Sequence, residues 1–222
     1  QGDQACGETG DGRMLEAEEI VDELLSFWTP KVLQGQHVLI TAGPTYEAID
    51  PVRGITNLSS GKMGFAIAKA AYHAGAKVSL IAGPVSLSTP RGIQRVDVLS
   101  AMQMRDAVQL AVQSATIFIS AAAVADWRPD HAADHKIKKD GSGDTPELSF
   151  VENPDILAAV ARSTRAQSGE LFCVGFAAES HDLLAQATAK SPSALSMISR
   201  PGWNSCEKIA APSACTASAS AR

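Results

Sequence analysis

The 222-residue sequence contains no run of 18 consecutive apolar residues, so no segment reads as a helix that crosses a bilayer. It has no initiating methionine and no apolar stretch near its start. The opening "QGDQACGETGDGRM" is acidic and glycine-rich, which argues against a signal peptide and for a fragment or a processed chain. The formal net charge is −5, so no overall basic field draws nucleic acid. Cys6, Cys173, Cys206 and Cys215 show no Cys-x-x-Cys spacing, and a reduced, cytoplasmic setting is expected. His37, His73, His131, His135 and His181 have no metal-ligand spacing; no zinc site is read, and metal ligands are left open. Neither a Gly-x-Ser-x-Gly elbow nor a Ser/His/Asp arrangement is present.

One glycine–lysine pair invites a phosphate-binding reading. In "ITNLSSGKMG" (55–64) a Walker-type loop would need a glycine five residues before Gly61 and a Ser or Thr after Lys62. Thr56 and Met63 stand there instead, and the Walker pattern is excluded.

What the chain does contain is alternation. "HVLITAG", "KVSLIAGP", "IQRVDVL", "TIFISAAAVADW" and "LFCVGFAAES" read as five buried strands. Between them lie helical patterns. One opens at Ser59 or Ser60 as N-cap, carries Phe65, Ile67, Ala68, Ala71 and Tyr72, and closes at Gly75. A second is capped by Ser100, with Met102, Val108, Leu110 and Val112 as its buried face. A third starts at Pro154 after Asn153, and a fourth covers "HDLLAQATAK". Continuous apolar strands separated by helices predict an α/β fold, a Rossmann-like parallel sheet with helices on both faces. The strand-end loops then gather on one edge, where ligands of such sheets bind. Residues 1–34 carry a helix-like "EAEEIVDELLSFW" and a linker at Pro30. Residues 191–222 are rich in Ser and Ala without a usable period, and disorder is expected there.

Three strings on that edge carry chemistry, each with a plainer alternative. Ser59, Ser60 and Gly61 at a helix start offer backbone N–H groups and partial positive charge to an anion, and Gly64 allows close helix–sheet packing. They could equally serve only as turn and cap. The alanines of "AAAVADWRP" leave backbone amides able to read a base edge, and Asp126 could hold a ribose hydroxyl or a metal. Small-residue packing and a capping aspartate explain them too. Lys136, Lys138 and Lys139 of "HKIKK" suit a triphosphate, although charge runs are commonly just solvated. Cys6, between alanine and glycine in a flap ending at Arg13, is as a lone cysteine more often inert.

Together the strings are more specific. "VLITAGPTYEAIDPVRGITNLSSGKMGFAIAKAA", "AAVADWRP", "KIKK", "NPDI" and "VGFAAES" resemble, in order and spacing, the phosphopantothenate–cysteine ligase domain of coenzyme A biosynthesis. "ACGETGDGRM" resembles the flap of phosphopantothenoylcysteine decarboxylase, a flavoprotein domain fused upstream of the ligase in bacteria. The resemblance covers residues 1 to about 190. It implies a decarboxylase remnant over 1–34, a truncated ligase domain over 35–190, and an unmatched tail over 191–222.

It further implies that 4′-phosphopantothenate is activated by CTP as an acyl-cytidylate and then joined to cysteine, magnesium accompanying the nucleotide. Asn57 matches the asparagine that turns over the acyl-cytidylate, and Lys136 the lysine of its formation. Ser59, Ser60, Gly61, Ala122, Ala123, Asp126, Asn153, Pro154, Asp155, Ile156, Phe176 and Lys190 match positions around the nucleotide. Cys6 matches the decarboxylase proton donor, which acts only with an FMN-binding domain. A homodimer is implied, and neither nucleic acid nor membrane as partner. The segment expected after Lys190 is missing; Ala194 stands where a second lysine would be, as in a frameshifted or truncated end. Two rivals follow: a CTP-binding remnant that does not turn over, and an NAD(P)-dependent Rossmann oxidoreductase, which lacks its Gly-x-Gly-x-x-Gly fingerprint here.

Overall fold

The computed structural model describes residues 14–138 and 145–176, with the backbone of 2–3, 7, 9–10, 177–178 and 195–200. In chain order the elements are β1 (Gly2–Asp3), β2 (Thr9–Gly10), α1 (Ala17–Trp28), β3 (His37–Ala42), β4 (Tyr46–Ala48), β5 (Gly54–Thr56) and α2 (Lys62–His73). There follow β6 (Lys77–Ala82), β7 (Gln94–Asp97), α3 (Ala101–Ala111), β8 (Ile117–Ser120), β9 (Trp127–Pro129) and β10 (Phe150–Glu152). The last are α4 (Ile156–Ala161), α5 (Thr164–Gln167), β11 (Phe172–Ala178) and β12 (Leu195–Arg200).

The main sheet runs β12-β11-β8-β3-β6-β7, and every pairing in it is parallel. β3 lies inside it with β6 on one side and β8 on the other, so both its faces need cover. Its sequence answers that need: Val38, Leu39, Ile40 and Ala42 are all buried. Alternate residues then serve opposite layers. Val38, Ile40 and Ala42 pack with Phe65, Ala68 and Ala71 of α2. Leu39 joins Phe118 of β8, Met104 and Val108 of α3, and Ile156 and Val160 of α4 on the other side. Helices therefore cover both faces, as the alternating pattern requires.

α2 comes close to the sheet because Gly64 has no side chain. A Cβ there would lie 2.5 Å from the Cβ of Ala42. The α2 cap differs from the expected serine: the N-cap is Gly61, left-handed at φ 74°, with no side-chain cap bond. A left-handed N-cap favours glycine over any serine. α3 has its Ser100 cap, whose hydroxyl accepts from the Gln103 amide while the Gln103 side chain returns to the Ser100 amide. Its buried face is Ala101, Met104 and Val108, with Val112 just past the helix also buried. Leu110, expected inside, is 81% exposed, since two residues after Val108 it lies about 200° around the helix. α4 begins one turn-position later than Pro154: Asp155 is the N-cap, its carboxylate accepting from the Ala158 amide at 2.8 Å.

β12 adds an edge strand inside the stretch expected to lack structure, pairing along β11 from Leu195 opposite Cys173 to Arg200 opposite Ala178. Residues 191–194 and 201–222 lie outside the described residues, as does the helix expected over 181–190.

Replacing Gly64 with alanine should push α2 off β3. Thermal or urea unfolding of Gly64→Ala is expected to show a loss of about 1–3 kcal/mol, the usual range for overpacking.

Candidate functional site

The strand order changes direction at β3. From β3 the chain moves outward to β6 and β7, then crosses back to β8 on the opposite side. The crevice beyond the carboxyl ends of β3 and β8 is the topological switch point, where open α/β sheets receive ligands. Gly43–Thr45 and Ala121–Ala123 line it and are stitched together. Ala123 donates to the Gly43 carbonyl at 2.8 Å, Thr45 donates back to the Ala123 carbonyl at 3.3 Å, and Pro44 and Ala123 form a β-bridge. The amides of Ala121 and Ala122 are engaged by the Thr41 carbonyl and hydroxyl at 3.2 and 3.3 Å. The expectation of open amides on this strand end is therefore not met, because the half-buried loop satisfies its backbone against β3 and the residues after it.

Asn57 leans into the same crevice. Its Nδ2 donates to the carbonyls of Ala123 and Val124 at 3.2 and 3.1 Å, and its Oδ1 takes no bond from any described residue. The turn that follows leads into α2. Ser59 and Ser60 hydroxyls lie 3.4 and 3.5 Å from the amides of Gly61 and Lys62, at the long limit of hydrogen bonding. Gly61 packs against Val85, 3.0 Å from where a Cβ would stand. The first turn of α2 carries no acidic residue, so the positive end of the helix is not offset there.

On the other rim, Asn153 is a structural pin. Its amide donates to the Asp126 carbonyl at 2.8 Å and its Nδ2 to the Ala125 carbonyl at 2.9 Å, while its Oδ1 accepts from Arg128 at 3.1 Å. That leaves the Asp126 carboxylate exposed and without a partner among the described residues. The Asp155 carboxylate is spent on the α4 cap, and Ile156 belongs to the core. Pro154 and Phe176 are half-buried. Structure thus joins Asn57 to Ala123, and Asp126 to Asn153, but gives Ile156 no access by its side chain. Cys6 and Lys190 lie outside the described residues, and so does Lys139.

Lys136 is exposed, yet its loop is tethered. Ala133 donates to the Ile49 carbonyl at 2.9 Å, and Ile137 donates to Asp50 Oδ2 at 3.2 Å. Asp50 sits in the turn between β4 and β5 and is buried. Its Oδ1 accepts from the amides of Val52 and Arg53, both at 2.8 Å, and its Oδ2 from Arg53 Nε at 2.9 Å and Nη2 at 2.5 Å. The Arg53 guanidinium holds the Asp50 carboxyl well below the usual carboxylate range against the opposing effect of burial, with the Val52, Arg53 and Ile137 amides adding to the lowering. Glu47, also buried, accepts from the Ala101 amide at 2.8 Å at the start of α3. Composition and motif reading passed over both acids. The signal was "IDPVRG": an aspartate ahead of a Pro-containing turn commonly takes the amides two and three residues on. Cys173 is a buried free thiol pushed up to about 11 by desolvation, which keeps it protonated and poorly reactive at neutral pH.

The fold and its switch-point crevice define a Rossmann-like α/β domain. More particularly, residues 33–198 match the family described as the DNA/pantothenate metabolism flavoprotein C-terminal domain, and the chain belongs to that family. It is 54% identical over 189 residues to the coenzyme A biosynthesis bifunctional protein CoaBC of Vibrio cholerae, covering 85% of this chain and 47% of that one. To the Escherichia coli K12 protein of the same name it is 49% identical over 191 residues, covering 85% and 46%. The chain thus spans about half the length of these relatives. Among solved structures it is similar to the C-terminal domain of a CoaBC protein, at 37% identity and a TM-score of 0.65, covering 76% of this chain and 79% of that one. Among the described residues no helix is long and apolar enough to cross a membrane, and no three His, Cys, Asp or Glu side chains cluster to hold a metal.

A carboxylate whose folded pKa is depressed stabilises the fold above its unfolded pKa, about 3.9 for aspartate, and loses that contribution as pH falls through the folded value. Urea midpoints followed from pH 6 downward should therefore fall more steeply below about pH 4 in the parent protein than in Asp50→Asn. Equal slopes would show that Asp50 does not carry the linkage. Alkylation of Cys173 in the native protein at pH 7.5 should be slow and should accelerate on unfolding.

Proposed function

We propose that this chain joins 4′-phosphopantothenate to L-cysteine as a CTP-dependent ligase of coenzyme A biosynthesis. The observation that carries the reading is the crevice at the switch point, with Asn57 fixed across it by the Ala123 and Val124 carbonyls. Family membership and the CoaBC relatives support the same chemistry.

In this reading the pantothenate carboxylate attacks the α-phosphorus of CTP, the bond to the β-phosphate breaks, and pyrophosphate leaves. The acyl-cytidylate then meets the free amine of cysteine; the amide bond forms, a proton is lost, and CMP departs with one former carboxylate oxygen. The first step needs cationic charge and alignment more than a protein nucleophile. The exposed Lys136 supplies charge to the triphosphate, and the α2 start at Ser59, Ser60 and Gly61 receives phosphate oxygens. In the second step Asn57 Oδ1 holds an N–H of the incoming amine. Ala122, Ala123 and Asp126 flank the nucleotide, with Asn153, Pro154, Asp155, Phe176 and Lys190 around its base and phosphates. Ile156 acts from the core by seating α4. The exposed Asp126 carboxylate is the side chain here that would hold a magnesium ion accompanying the triphosphate, which would neutralise part of its charge.

Residues 1–34 are assigned to an upstream decarboxylase domain and 35–190 to the ligase. The surface of α1 supports that division: it buries no residue, and Phe27 and Trp28 are 78% and 69% exposed. Cys6 would donate its proton there, beside FMN held by that domain. A homodimer in the cytoplasm completes the assignment, with no nucleic acid or membrane as partner.

Pyrophosphate release from CTP and 4′-phosphopantothenate, without cysteine, tests the reading, with ATP in a parallel tube. A CTP-dependent burst is expected, reduced at least about a hundredfold by Lys136→Ala. Asn57→Ala should keep the burst and lose product formation when cysteine is added. CTP binding without any burst would replace the ligase by a non-catalytic CTP-binding remnant.

A further inference from the structure

An aspartate at the first position of a turn needs one oxygen, and Asp50 meets that need with Oδ1, which takes the Val52 and Arg53 amides. Its second oxygen does something a turn does not require. Oδ2 accepts from the amide of Ile137, 87 positions further along the chain, and from the Arg53 guanidinium. That guanidinium also donates through Nη2 to the Ile137 carbonyl at 2.9 Å. Both polar groups of the Ile137 backbone are thereby held, one by each partner of a single ion pair. Apolar packing gives this loop little else: His131, Ala132, Asp134, His135, Lys136 and Lys138 are exposed. The Asp50 side chain, by contrast, has no exposed surface. A fully buried carboxylate is thus the chief anchor of a solvent-facing, lysine-bearing loop.

The same turn belongs to the β4–β5 hairpin, and β5 runs directly into Asn57. β4 and β5 pair from Ala48 opposite Gly54 at the turn to Tyr46 opposite Thr56 at the base. The base is locked separately, by the Thr56 hydroxyl on the Thr45 carbonyl at 2.7 Å.

We propose that Asp50 is a positioning residue for the nucleotide-activating step: through Arg53 and the Ile137 backbone it fixes the Lys136 loop on the hairpin that carries Asn57. This rests on the ligase reading above and assigns Asp50 no contact with substrate. Placement matters because a misplacement of about 1 Å can cost about a hundredfold in rate. Asn57 has its own locks at the hairpin base and on Ala123, so the aminolysis step depends less on Asp50.

The test is a double-mutant cycle in the complete chain on pyrophosphate release, using Asp50→Asn, Lys136→Ala and the pair, with melting curves alongside. Asp50→Asn should lower kcat at least about tenfold and move KM for CTP less than about threefold. In the Lys136→Ala background the same change should cost less than about twofold, because groups acting through one another are not additive. An equal loss in both backgrounds, or no loss in either, overturns the proposal while leaving the ligase reading in place. Should Asp50→Asn fail to fold, Arg53→Lys carries the same cycle, since it keeps a cation beside Asp50 and removes the Nη2 bond to Ile137. A parent protein that releases no pyrophosphate refutes the ligase reading, and this assignment with it.

Discussion

A strand buried on both faces between two parallel neighbours governs this molecule. β3 has β6 on one side and β8 on the other, and helices above and below, so nearly every residue from Val38 to Ala42 must be apolar. Once that strand is in place, the return of the chain from β7 to β8 puts two loops side by side beyond its carboxyl end. The alanines after β8 and the Gly-Pro-Thr after β3 then share one hydrogen-bonded seam. The crevice is a product of strand order, and the side chains at it are arranged on a scaffold that the core has already fixed.

Polar groups buried near this edge have hydrogen-bond partners from distant segments. Thr41 and Thr45 hydroxyls take the amides of Ala122 and Ala125, Glu47 takes the amide at the start of α3, and Asp50 takes five hydrogens from three residues. Each joins segments remote in sequence and so ties these loops to one another. Such ties would suit the proposed reaction, which needs alignment of a carboxylate and a phosphorus atom more than a nucleophile.

Much of this could be read from the residues. The apolar runs of β3, β6 and β8 announce two-faced burial, Gly64 announces close packing, and Ser100 with Gln103 announces a capping box. What escaped had separate physical causes. Leu110 looks like a core residue until the helical angle from Val108 is counted. Ser59 and Ser60 look like caps, but the chain enters α2 through a left-handed Gly61. Asp50 and Glu47 hide best of all. Acidic residues are usually solvated, and only the approach of Ile137 and Ala101 from far along the chain makes them interior.

In the proposed function the pantothenate carboxylate is activated as a nucleotidyl anhydride in the crevice between β3 and β8. The most direct test of this activation labels that carboxylate with oxygen-18 and follows the label by mass spectrometry or phosphorus NMR after turnover with CTP and cysteine. Transfer of one labelled oxygen to the phosphate of CMP is the predicted result. Label recovered in inorganic phosphate, with CDP as the nucleotide product, would mean activation at the γ-phosphate and would contradict the account.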